Sequence, residues 1–204
     1  MTSRLEEVLA DARSVGFLGP APIAVGVAHA RGFMVEIPAP ERLVDLGSGG
    51  GLPGLVLADC WPKAQVFLVE SNQQRCQFLA EAVERLGFGD RVVVLQERAE
   101  TTGRRPELRG TIDLVVARGF GPPAVTAECG APLLGVGGRL VVSEPPAEVP
   151  GEAPRWPSEA LAELGLAPDR VWATEFHYRS LAQVRPCPER YPRRVGIPAK
   201  RPLY

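Results

Sequence analysis

The richest chemistry in the chain lies in Gly47-Ser48-Gly49-Gly50-Gly51-Leu52-Pro53-Gly54, entered through the apolar run Leu43-Val44-Asp45-Leu46. An apolar strand here runs into a glycine hairpin and then into a helix whose first turn accepts Pro53. Side chains at these glycines would hold the backbone away from a ligand, and tight turns favour residues that tolerate positive φ. The following helix aims unpaired N–H groups and a positive dipole end into the same space. This is the chemistry of a nucleotide-type cofactor loop at the C-terminal edge of a sheet. Gly49-Gly50-Gly51-Leu52-Pro53-Gly54 fits G-x-G-x-x-G literally, and Glu70 ends the next strand at about the spacing of a ribose-binding carboxylate. A dinucleotide therefore stays open at this point. Walker-type phosphate binding does not fit, because no Gly-Lys-Ser/Thr follows.

Asp45, two residues before Gly47, extends the pattern to Asp-x-Gly-x-Gly-x-Gly, which resembles the first motif of class I methyltransferases. A carboxylate at that place suits a cofactor with an amino-acid ammonium and a sulfonium better than one with a pyrophosphate. The plainer alternative is that Asp45 only caps the turn. S-adenosyl-L-methionine is the expected cofactor.

These residues need a scaffold, and the chain alternates accordingly. Ser3-x-x-Glu6 is a capping box for an opening helix with Leu5, Val8, Leu9 and Ala12 on one face. A second short helix fits 23–30, ahead of the breaks at Pro38 and Pro40. After the loop come a helix through Leu57 and the strand that ends at Glu70. Residues 74–86 read as a helix with Phe78, Leu79, Ala82 and Leu86 inward, closed by Gly87. Apolar strands follow at 92–95 and 112–116, the first read as covered on both faces. Helix is expected over 124–134, and Gly137-Gly138 turn into a strand over 139–142. A Pro/Glu-rich surface connector occupies 145–157, a last helix 158–164, and two strands 171–174 and 181–184. The alternation predicts an α/β, doubly wound, mostly parallel sheet flanked by helices. The expected division is a helical extension over 1–39 and one enzyme domain over 40–204.

Composition narrows the class. With 204 residues, 45% of them apolar, and a net charge of −1, nothing in the overall composition indicates disorder or a membrane protein. No apolar run approaches the ~20 residues that span a bilayer, and no signal-peptide pattern is present. Cys60, Cys76, Cys129 and Cys187 are scattered without a C-x-x-C pair, so reduced thiols, no metal and a cytoplasmic location are expected. His29 and His177 are the only histidines, each read as a surface or packing residue. Charge is unevenly placed: 179–204 holds seven basic residues against Glu189, so it carries +6 and the preceding chain −7. A basic segment on an acidic body is a candidate polyanion footprint, the alternative being a solvated Pro-rich terminus. Arg98, Arg104, Arg105 and Arg109 form a second basic group, read as a solvated loop.

The loop 44–54 is similar to the cofactor loop of the glucose-inhibited-division-B family, bacterial methyltransferases acting on guanine N7 of small-subunit ribosomal RNA. The resemblance continues in Arg98-Ala99-Glu100, in Ala117-Arg118-Gly119-Phe120, and in Pro132-Leu133-Leu134 through Gly137-Gly138-Arg139-Leu140. It ends in the basic stretch from Arg190-Tyr191-Pro192-Arg193-Arg194 to Lys200-Arg201-Pro202-Leu203. The Trp-Asn and Asn-Leu-Thr pattern of the family's N-terminal region is not readable here.

The resemblance implies a class I (Rossmann-like) methyltransferase fold. It also implies a cofactor site of Asp45, Gly47, Ser48, Gly49, Leu52, Glu70, Ala99, Glu100 and Arg118. Glu70 would take the ribose hydroxyls, Ala99 and Glu100 the adenine, and Arg118 the cofactor carboxylate or an RNA phosphate. Tyr191, Arg193 and Arg194 would meet RNA, offering an aromatic face and guanidinium forks. No residue is expected to act as a catalytic acid or base. The expected partner is ribosomal RNA or the small ribosomal subunit, met by a monomer. A small-molecule methyltransferase and a non-catalytic adenosyl-ligand binder are the alternatives.

Overall fold

The computed structural model describes residues 3–145 and 154–204, so much of the connector at 145–157 lies outside the described residues. The element order is α1 (Arg4–Ser14), α2 (Ile23–Gly32), β1 (Arg42–Leu46), α3 (Gly54–Cys60), β2 (Gln65–Glu70), α4 (Gln73–Leu86) and β3 (Val92–Gln96). It continues with α5 (Ala99–Thr102), β4 (Ile112–Ala117), α6 (Pro123–Gly130), a 3-10 turn (Ala131–Leu133) and β5 (Leu134–Glu144). The chain closes with α7 (Ser158–Glu163), β6 (Leu166–Ala173), β7 (His177–Gln183) and α8 (Ile197–Lys200).

Local signals start and stop these elements. The Ser3 hydroxyl accepts from the Glu6 N–H at 3.2 Å and the Glu6 carboxylate accepts from the Ser3 N–H at 2.9 Å, which completes the capping box. Asn72 caps the first turn of α4, and Gly87 ends it at φ +72°, where an L side chain would be strained. Two four-residue helices, α5 and α8, are too short to show helical periodicity and are not readable from sequence.

The seven strands lie in the order β3-β2-β1-β4-β5-β7-β6, parallel except for β7, which runs antiparallel between β5 and β6. Alternate residues of one strand feed opposite faces. Leu43, Leu68, Leu114 and Val141 join the cluster under α1, α2, α3 and α4, whereas Val44, Val69, Val115 and Leu140 join the one under α6 and α7. This two-sided burial is the doubly wound arrangement the alternation predicts. Helices α1 and α2 share the first cluster with the strands, and Leu18 and Phe17 press on Gly50 of the glycine turn. The strand at 92–95, read as covered on both faces, is instead the sheet edge: it pairs with β2 alone and leaves Val93 exposed. Gly137 and Gly138 do not precede the next strand but sit inside β5, beside a register shift between Ile112 and Leu114.

Strand order reverses at β1, which pairs with β2 on one side and β4 on the other. Open α/β sheets bind ligands outside the carboxyl ends of strands at such a switch point. The glycine turn leaves β1 at that place.

Candidate functional site

At the end of β1 the N–H groups of Gly47 and Ser48 both donate to the Val69 carbonyl, at 2.9 and 3.0 Å. The turn is thereby bound to β2. Gly47 and Gly49 hold φ of +73° and +56°, the left-handed region that favours glycine. Closeness matters as well as angle: a Cβ on Gly47 would stand 2.9 Å from the Phe120 ring. Gly54, first residue of α3, has no room either, since its Cβ would meet Leu68 at 2.4 Å and Asp45 Oδ2 at 2.5 Å.

Asp45 lies directly beneath the turn and is wholly buried. Its Oδ2 accepts from the Gly54 N–H at 2.9 Å, so it does cap α3. Its Oδ1 is buried with no partner. Burial pushes its pKa up to about 7, against the opposing pull of the Gly54 N–H. Ser48 is buried beside it, with its hydroxyl donating to the Asp45 carbonyl at 3.0 Å. The half-buried Arg118, one residue past β4, faces the same region and acts electrostatically on Asp45, Tyr178 and His29. His29 stacks on Phe176 with ring centroids 4.1 Å apart, so its packing role is real. Burial, then the charge of Arg118, holds its pKa down at about 4. Tyr178 donates to the His29 carbonyl at 2.8 Å, and Trp172 Nε1 donates to the Gly32 carbonyl at 2.9 Å.

A cavity of about 360 Å³ opens at the strand ends, within the range of small-molecule sites. Gly47, Glu70, Ala99 and Glu100 line it together; Phe120, Val125 and Cys129 supply apolar wall. Glu70 organises the floor. Its Oε1 accepts from the Ser71 and Asn72 N–H groups at 2.7 and 2.8 Å, and its Oε2 from Gly49 at 3.1 Å. Three donors leave a carboxylate with about one of its four acceptor directions open, enough for a ligand hydroxyl. Leu52 does not reach the cavity through its side chain, which is buried against α2: a Cβ on Gly26 would lie 2.8 Å from it. No histidine or lysine is in the lining, and burial raises the Cys129 thiol far above its ordinary value. The arrangement offers acceptors and shape rather than an acid–base pair.

The basic C-terminal segment is not a solvated tail. Tyr191 is buried and donates to Glu163 at 3.1 Å, so it presents no free aromatic face. Arg193 is likewise spoken for: its backbone N–H, Nε and Nη2 all donate to the buried Glu128 carboxylate, at 2.8, 2.8 and 2.6 Å. At these two positions the groups are not free as the sequence reading expects: the buried Glu128 of α6 and the exposed Glu163 of α7 hold them within the chain. Arg194 is exposed, with Lys200 and Arg201. The second basic group is not a solvated loop either. Arg109 donates to the carbonyls of Gly103, Cys187, Pro188 and Tyr191, Arg104 to those of Pro192 and Arg190, and Arg105 pairs with Glu97 at 2.8 Å. Glu128 and Arg109 carry no local signal of this role, since their partners are 65 and up to 82 residues away.

Among the described residues no group of His, Cys, Asp and Glu could hold a metal ion, and no helix is long and apolar enough to cross a membrane. All four cysteines are free.

Residues 33–144 match the family described as rRNA small subunit methyltransferase G (GidB). The ribosomal RNA small subunit methyltransferase G of Synechococcus sp. (strain RCC307) is 36% identical over 171 residues, 80% of this chain and 71% of that protein. The protein of the same name from Roseiflexus castenholzii is 40% identical over 170 residues, again 80% and 71%. Among solved structures, a putative O-methyltransferase from Klebsiella pneumoniae superposes with a TM-score of 0.64 at 15% identity, covering 89% of this chain and 90% of that one. A SAM-dependent methyltransferase from Aquifex aeolicus gives 0.59 at 17% identity, covering 85% and 97%. These likenesses at low identity show the class I methyltransferase fold.

Proposed function

This chain belongs to the rRNA small subunit methyltransferase G family, and we propose that it methylates N7 of a guanine in small-subunit ribosomal RNA with S-adenosyl-L-methionine as donor. One observation carries the cofactor reading: a buried carboxylate oxygen without a partner, Asp45 Oδ1, lies under the glycine turn, and Gly47 of that turn lines a cavity with Glu70. An ammonium group satisfies such an oxygen, and a pyrophosphate would be repelled by it. The residues therefore fit this group.

In this reading Asp45 takes the amino group and Arg118 the carboxylate of the amino-acid end. Gly47, Ser48, Gly49 and Leu52 bring main chain close to it, with Gly47 kept bare for that purpose. Glu70 accepts from the ribose hydroxyls through its open direction. Ala99 and Glu100 border the adenine. When bound, S-adenosyl-L-methionine supplies an electrophilic methyl on its sulfonium. Guanine N7 already carries a lone pair and loses no proton on methylation, so the protein has to align the partners rather than move a proton. A cavity lined without histidine or lysine agrees with that demand. Arg194, Lys200 and Arg201, exposed on the segment beside the cavity, are the cations for RNA phosphates.

The test is incubation with methyl-labelled S-adenosyl-L-methionine and small ribosomal subunits, followed by mapping of the labelled nucleotide. Label on guanine N7 is expected. Label on no RNA overturns the proposal.

A further inference from the structure

The segment after β7 crosses the second face of the sheet and comes to rest beside the cavity. Arg109 grips it first, donating to the carbonyls of Cys187, Pro188 and Tyr191 at 3.2, 3.1 and 2.8 Å. Arg193 then locks to Glu128, and its Nη2 also donates to the Arg201 carbonyl at 2.7 Å. Between those points Gly196, at φ +80°, donates its N–H to Glu100 Oε1 at 2.9 Å. The short helix α8 follows at once and brings Ala199 into the cavity lining with Ala99, Glu100, Val125 and Cys129.

We propose that this C-terminal segment is the outer wall of the cavity's adenine end, with Ala199 shaping the slot and Glu100 and Glu128 holding it shut. The proposal rests on the cofactor reading above. Glu100 changes role within it. Its Oε1 is taken by Gly196 and its Oε2 stands 3.7 Å from Arg98 Nε, so the carboxylate serves as a strut and not as a reader of the base. Beside Glu97 and Arg98, which also line the cavity, the ligand meets small apolar groups: Ala99, Ala199, Val125 and the protonated Cys129 thiol. Such a slot takes a flat heterocycle by shape. The +6 charge of 179–204 acquires a reason as well, since Arg193 and Arg190 pair with Glu128 and Glu163 to seat the wall.

Isothermal titration of the full chain with S-adenosyl-L-homocysteine and with adenosine tests the wall without turnover. Ala199→Trp obstructs the slot directly; Glu100→Leu removes the acceptor that the Gly196 N–H reaches. Each is expected to weaken both ligands roughly tenfold or more, by the same factor for adenosine as for the larger ligand. Glu100→Gln keeps an acceptor for the Gly196 N–H and restores most of the affinity. Arg185→Met, in the same segment but bonded to the Ala162 carbonyl outside the cavity, stays within about twofold of wild type. Wild-type affinity in both Ala199→Trp and Glu100→Leu overturns the wall alone. Failure of the wild-type chain to bind S-adenosyl-L-homocysteine overturns the cofactor reading, and the wall with it.

Discussion

Asp45, under the glycine turn, and Glu128, under the C-terminal segment, are both carboxylates with no exposed surface, yet their surroundings differ in kind. Glu128 accepts three hydrogen bonds from one arginine, two of them from the guanidinium fork. Asp45 accepts one from a backbone N–H and keeps an oxygen empty. A buried charge is tolerated when it is fully paired, and an unpaired one is expensive. Glu128 is thus a finished structural joint. Asp45 is an unfinished one, held ready for a cation that the fold itself does not supply.

Removing the partner of the finished joint has the largest effect. Arg193→Met leaves Glu128 buried without its counter-ion and lowers stability by about 4 kcal/mol, read as the urea unfolding midpoint. The double change Arg193→Met with Glu128→Met recovers most of that loss, because two apolar groups replace the pair. A single variant as stable as wild type would erase the distinction between the two sites.

The unfinished joint predicts the opposite sign. Burial raises the Asp45 pKa from 3.8 in the unfolded chain to about 7, so the folded state holds an extra proton between those values. Its contribution is fully present below pH 4 and is lost as pH rises through 7. Asp45→Asn cannot ionise, so it should exceed wild type in stability at pH 8, by on the order of 2 kcal/mol, and match it near pH 4. The same variant should bind S-adenosyl-L-homocysteine more weakly. Gain of stability with loss of affinity is the signature of a site kept incomplete for its ligand.

Smaller effects sharpen the division of the basic residues. Replacing Arg194, Lys200 and Arg201 by alanine should leave stability within about 0.5 kcal/mol and lower the salt-dependence slope of RNA binding by about 2. The smallest signal is the imidazole of His29, which should titrate by NMR near pH 4 and not at 6.5. A depressed pKa contributes stability above pH 6.5 that is lost as pH falls toward 4, opposite in slope to Asp45.

Sequence reading succeeds where the cause of structure is local. The capping box at Ser3 and Glu6, the Gly87 stop and the glycine turn are each decided within a few residues. Glu70 was legible for the same reason, as the last residue of a strand next to the turn. The tail's partners within the chain are not legible, because counting charge treats arginines as solvated. Their acceptors lie far along the chain: Tyr191 reaches Glu163 across 28 residues, Arg193 reaches Glu128 across 65, and Gly196 reaches Glu100 across 96. The edge position of β3 was hidden for a related reason, since an apolar run of valines looks alike whether one neighbour covers it or two.

The carbonyls that end α2 are capped by side chains from the last hairpin. Trp172 reaches Gly32 across 140 residues, and Tyr178 reaches His29 across 149. Contacts of such sequence separation form slowly, because a long loop must close before they reward it. During synthesis, then, the second helix waits on the ribosome with its end unmade. It acquires its aromatic lid when the final hairpin emerges, so an early helix becomes native late.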